Sequence, residues 1–207
     1  MATPTAPAAS PREDLPLTLP DARDPRLLSG SPWLGGRNAG TLALTLLRLV
    51  LGVEFLWAFV DKLFGLGYAT PNARAWISGG SPTKGFLSGV SSGPLRGFFN
   101  AIAGAPAADW LFMLGLLGIG AALVLGVALR PAAASGALLL TMMWFATWPP
   151  ASTAGGQPTG STNPLVDDHV IAAVALLVVA AFITRSTGHL GRRWAQLDLV
   201  QRFPWLR

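Results

Sequence analysis

Four acids, a histidine and a lysine stand where an otherwise apolar chain could do chemistry. Glu54, Asp61 and Lys62 fall in one segment, and Asp167, Asp168 and His169 in another. Carboxylates and an imidazole are groups that give and take protons near neutral pH. A lysine or arginine beside them supplies charge for an anion. Glu54, Trp57 and Asp61 follow one another at spacings of three and four and share a helical face. Arg48, Phe55 and Lys62 share a second face, roughly 120° away at 100° per residue. Glu54 lies roughly 10 Å below Asp61 along such a helix.

The elements that must carry these groups are membrane spans. Only 12% of the residues are charged and mean hydropathy is +0.48, about half the charge of an ordinary soluble domain. Four apolar stretches run from about 41 to 60, 110 to 129, 131 to 148 and 165 to 184, each long enough for a hydrocarbon layer of roughly 30 Å. The expected fold is all-α, a four-helix transmembrane bundle with short interfacial helices. Arg130-Pro131 alone separates the second and third spans, which predicts a tight helical hairpin there. Gly115, Gly118, Gly120 and Gly126 favour close helix packing. Residues 1–36, rich in Pro and Ala, read as a disordered cytoplasmic tail. The first apolar stretch begins only near Thr41, so no cleavable signal peptide is expected. The transmembrane domain covers 37–188, and 189–207 is a basic amphipathic tail.

Arginine placement sets the expected orientation. Arg12, Arg23, Arg26 and Arg37 precede the first span, Arg130 marks the hairpin turn, and five arginines follow Thr184. The stretch 149–164 has no basic residue. The positive-inside rule puts both ends in the cytoplasm, in a multi-pass protein of the cell membrane. Leu95, Phe98, Phe99 and Ile102 share a face and predict a short interfacial helix; Leu190, Trp194 and Leu197 predict an inner-leaflet anchor. The net charge of +5 then points to lipid headgroups rather than nucleic acid.

A charge inside a span costs roughly 2.5–3.5 kcal/mol on insertion scales, so each needs a reason. Asp167 reads also as a helix cap, Lys62 as a side chain reaching the headgroups, and Arg48 as one reaching the inner headgroups or pairing with a backbone carbonyl of another helix. Trp57 reads as packing. A carboxyl at the depth of Glu54 must be protonated, paired or lining a polar cavity. With no cysteine and only two histidines, neither a metal site nor a haem is expected. Packing the first span on the fourth would gather Asp61, Lys62, Asp167, Asp168 and His169 at one rim.

The segment Leu47-Arg48-Leu49-Val50-Leu51-Gly52-Val53-Glu54-Phe55-Leu56-Trp57-Ala58-Phe59-Val60-Asp61-Lys62-Leu63 resembles the first helix of the DoxX/DoxD membrane family. Leu114 to Gly120, Leu125-Gly126 and Arg130 to Ala133 resemble the middle of that family, and Asn163 to His169 the start of its last helix. The resemblance implies a four-helix bundle and a membrane subunit of a quinone-linked redox complex, of the thiosulfate:quinone oxidoreductase type. It further implies a separate redox subunit, soluble or membrane-bound. In that reading Glu54, Asp61, Asp168 and His169 bind or protonate a quinone headgroup or a small anionic donor. Arg48, Lys62 and Trp57 complete the binding set. A scaffold recruiting a soluble redox enzyme is the alternative. A small-solute carrier is a third, disfavoured because no span is broken by proline.

Overall fold

The computed structural model describes residues 37–182 and 189–207, so the expectations for the 1–36 tail and for the end of the fourth span lie outside the described residues. Helix α1 covers Arg37–Phe64, 28 residues, well beyond the expected end at Val60. Asp61 and Lys62 do not stop it. Gly65 does, adopting φ 65° and donating its N–H to the Asp61 carbonyl at 2.8 Å. After two 3₁₀ turns, Asn72–Arg74 and Trp76–Ser78, come two short helices, α2 (Lys84–Ser88) and α3 (Arg96–Ile102). Helix α3 is the expected amphipathic segment: Phe99 is buried with Val90 and Ala146, while Phe98 stays exposed.

Helix α4 (Pro106–Leu125) starts four residues before the expected Trp110, with proline in its first turn and Asp109 beside the free N–H groups there. The expected break at Arg130-Pro131 is corrected to Gly126-Val127-Ala128. Gly126 takes φ 73°, and α5 (Leu129–Thr147) already contains Arg130 and Pro131. Proline is tolerated in that first turn because the N–H it lacks has no intrahelical partner. A two-stranded hairpin, β1 (Thr153–Ala154) with β2 (Gln157–Pro158), interrupts the otherwise helical chain. Helix α6 (Asp168–Ala181) follows; Asp167 caps it, accepting from the Val170 N–H.

Leu51 and Phe55 of α1, Met113, Leu116, Ile119 and Leu123 of α4, Leu129, Ala133 and Leu140 of α5, and Leu176 and Val179 of α6 form one buried cluster. Contact between α1 and α4 is backbone-close: a Cβ on Gly120 would stand 2.9 Å from the Leu56 nitrogen and 3.0 Å from the Gly52 oxygen. Of the four glycines expected to aid packing, Gly120 does so and Gly126 ends α4. Gly115 and Gly118 have open space beside them.

Three helices, over Ala39–Phe64, Pro106–Leu125 and Leu129–Thr147, are long and apolar enough to cross a membrane. Their uncovered faces are apolar too, with Val50, Leu111 and Leu138 at 64%, 77% and 63% exposure. That is the pattern of a helical membrane protein. Helix α6 is apolar but has 14 residues, or roughly 21 Å.

The C-terminal residues are more than an amphipathic tail. Helices α7 (His189–Ala195) and α8 (Asp198–Arg202) and the turn Pro204–Leu206 fold back on the start of α5. The Arg130 N–H donates to the Arg207 carbonyl at 2.7 Å and its guanidinium to the Pro204 carbonyl at 3.0 Å. Trp194 Nε1 donates to the Leu206 carbonyl at 2.8 Å, and Val200 is fully buried. Leu190 and Leu197 remain exposed.

Candidate functional site

The last turn of α1 presents Asp61 and Lys62 at the end of the molecule that carries the long loop. The loop folds back over Asp61, leaving it 1% exposed. The Tyr68 N–H donates to Asp61 Oδ1 at 3.3 Å, and Oδ2 is buried with no hydrogen-bond partner. Lys62 is half-buried beside α4. Its Nζ lies 5.9 Å from the centre of the Phe112 ring, within reach of a cation–π contact.

Lys62 borders a cavity of about 740 Å³ between α4, α5 and the loop. Leu111, Gly115 and Ile119 of α4 form one wall, at the four-residue spacing of a single face. Ser135, Leu138 and Met142 of α5 form the other, and Phe86, Phe98 and Ile102 of the loop helices form the roof. Arg74, Ser81 and Thr83 join Lys62 among the polar groups bordering it, and no carboxylate lines it. Leu111 and Leu138 belong to the apolar outer surface, so the cavity communicates with the space beside the helices.

Asp109, one residue before the expected start of the second span, fixes this loop. Its Oδ1 accepts from Ser81 Oγ at 2.9 Å, from Thr83 N–H at 3.0 Å and from Thr83 Oγ1 at 2.6 Å. Thr83 Oγ1 accepts in turn from the Gly104 N–H at 3.2 Å. The available signal was the pair Ser81-x-Thr83, short hydroxyl donors upstream of an acid in a helix's first turn.

The structure separates most of the predicted site. Arg48 is buried in the first half of α1, roughly 21 Å from Lys62 along the helix. It donates Nη1 to the Leu123 and Val124 carbonyls, so it occupies the carbonyl-pairing role rather than a place beside the cavity. Glu54 is exposed and has no hydrogen bond or ion pair among the described residues; Trp57 packs edge-on against Tyr68 at 5.1 Å. His169 Nδ1 sits 2.8 Å from Asp167 Oδ2 and 3.4 Å from Asp168 Oδ1. Ligand atoms of these three lie within 4.8 Å of one another, near enough to hold a cation. Asp167, however, already serves the helix start and the imidazole. Among the described residues no hydrogen bond or ion pair links this trio to Asp61 or Lys62. Of the proposed site residues only Lys62 lines the cavity.

No family model, no curated protein and no solved structure matches this chain.

Proposed function

We propose that this chain is the four-helix membrane subunit of a quinone-linked redox complex, as its resemblance to the DoxX/DoxD family implies, with the cavity beside Lys62 as the quinone site. The observation that carries this reading is an apolar, aromatic-walled space of about 740 Å³ with a cationic donor at its edge. That volume falls in the range of small-molecule sites. Phe86, Phe98 and Phe112 fit a flat ring, and Lys62 can donate a hydrogen bond to a ring carbonyl. A quinone supplies a two-electron, two-proton acceptor. The chain's own part is to exclude water with the α4 and α5 walls and to place the Lys62 ammonium. Asp61, next in the chain, has a carboxylate oxygen free to take part in proton movement.

The protein purified in native lipid is expected to carry extractable quinone, and Lys62→Ala to lower the retained amount about tenfold, the effect of losing one charged hydrogen bond. Equal quinone in both would remove the site. The scaffold reading is favoured by one observation, that Glu54, Asp61, Asp168 and His169 do not line the cavity. It predicts quinone-free protein that still binds its redox partner.

In this reading α6 serves as the fourth span, and both ends face the cytoplasm. Single cysteines test it directly in a chain that has none. Ser78→Cys and Thr162→Cys should react with an impermeant maleimide on intact cells. Thr5→Cys and Gln201→Cys should react only after lysis. The reverse pattern would invert the topology.

A further inference from the structure

Glu54 is the residue that neither the core nor the cavity uses. It stands ten residues from Phe64 and fifteen from Ala39 within the apolar stretch of α1, roughly 15 Å and 22 Å from its ends. Its two-carbon stem cannot reach headgroups from that depth, as a lysine can. Around it Leu46, Val50, Val53 and Trp57 are all exposed, while Arg48, Leu51 and Phe55 on the other side of α1 are buried. The acid thus sits in the middle of an apolar helix face, with no hydrogen bond or ion pair among the described residues. A charge left so in hydrocarbon is costly, and intramembrane acids characteristically find a partner.

A second copy of this chain does not supply one. Within the three long spans the basic residues deeper than the end turns are few. Arg48 is committed to the last carbonyls of α4, and Lys62 lies half-buried at the cavity, at the end of its helix. Helix α4 has no lysine or arginine, and α5 has only Arg130 in its first turn. A symmetric contact between two α1 faces would set carboxyl against carboxyl. Among the described residues, then, a free cation at mid-membrane depth is lacking, and charge complementarity for an ionised Glu54 points to a different protein.

We propose that the Leu46–Val50–Val53–Glu54–Trp57 face of α1 is the docking surface for a transmembrane helix of another protein that carries a lysine or arginine at mid-membrane depth. Apolar contact covers the flanks and the ion pair sets depth and rotation, since a shift along the helix would strand both charges. The surface is independent of the quinone reading and stands whether or not the cavity binds anything.

The test uses the full chain labelled at Ser78→Cys in phosphatidylcholine vesicles, with acceptor-labelled synthetic spans. One peptide is polyleucine; the other has a single central lysine. Energy transfer to the lysine peptide is expected at about tenfold lower peptide density than to the leucine peptide. Glu54→Leu should erase that difference while leaving the protein folded, because the position faces outward. Equal transfer to both peptides, or a lysine preference that survives Glu54→Leu, would overturn the proposal. Mixing donor- and acceptor-labelled copies supplies the remaining arm. Self-association abolished by Glu54→Leu would make the occupant a second copy and overturn the choice of partner; no Glu54-dependent self-association supports it.

Discussion

Arg48→Leu is expected to destabilise the protein by about 2–4 kcal/mol, as the loss of a charged donor from buried acceptors does. Residue 48 is buried among apolar neighbours, so leucine suits its surroundings. What disappears is the donor to the Leu123 and Val124 carbonyls in the last turn of α4. Those carbonyls have no intrahelical partner, and the negative end of the helix dipole favours a cation there. Arg48→Lys should fall between, because an ammonium keeps the charge but not the planar fork. Gly126→Ala attacks the same turn from the other side. Its φ of 73° disfavours any side chain, and a Cβ would stand 3.1 Å from Arg48 Nη1. The two losses should therefore be less than additive when combined. Denaturant midpoints in mixed micelles measure all four variants. An unshifted midpoint for Arg48→Leu would show that the cap contributes nothing. If that variant also lost quinone, the binding role would return.

The spans were legible because long apolar runs leave few alternatives; their ends were not. Charge follows Val60 directly, yet the helix runs on to Phe64 and stops at Gly65, where a left-handed turn ends it. Likewise α4 starts four residues before the expected point, since Asp109 is compatible with a helix's first turn. Facing was harder still. In a soluble helix, polarity separates core from surface, but in α1 both sides are apolar, so periodicity cannot say which is buried. Glu54 and Asp61 are seven residues apart and share a sector by geometry. One is exposed and the other buried because the loop after Gly65 folds over only the end of the helix, bringing Tyr68 to Asp61. Lys62 shares its sector with Arg48 and Phe55, both of which the structure buries. The cavity was not legible, since its roof comes from a loop with no strong pattern of its own.

That roof is the object of the second large effect. Asp109→Ala is expected to release residues 81–84 from α4 at a local cost of about 2–4 kcal/mol, since three donors lose a charged acceptor at once and such losses are not additive. Ser81 and Thr83 both border the cavity and both depend on Asp109 Oδ1. Thr83 relays the tie to Gly104, so the far end of the loop is held through the same carboxylate. Asp109→Asn keeps an acceptor oxygen in nearly the same place but without the charge, and should retain part of the closure. Hydrogen exchange reads the result at defined amides. Thr83 and Gly104, each bonded to a side chain, should lose protection in the alanine variant and keep part of it in the asparagine variant. The helix interior of α6, which shares none of these bonds, should be unchanged. Loss of protection throughout the chain would instead mean that Asp109 supports the whole fold. Unchanged protection at Thr83 and Gly104 would mean that the loop is held by apolar packing of Phe99 and Val90 alone. If the local reading holds, quinone retention should fall with loop protection across the three proteins, because the roof and the polar edge of the cavity are tied down by one side chain.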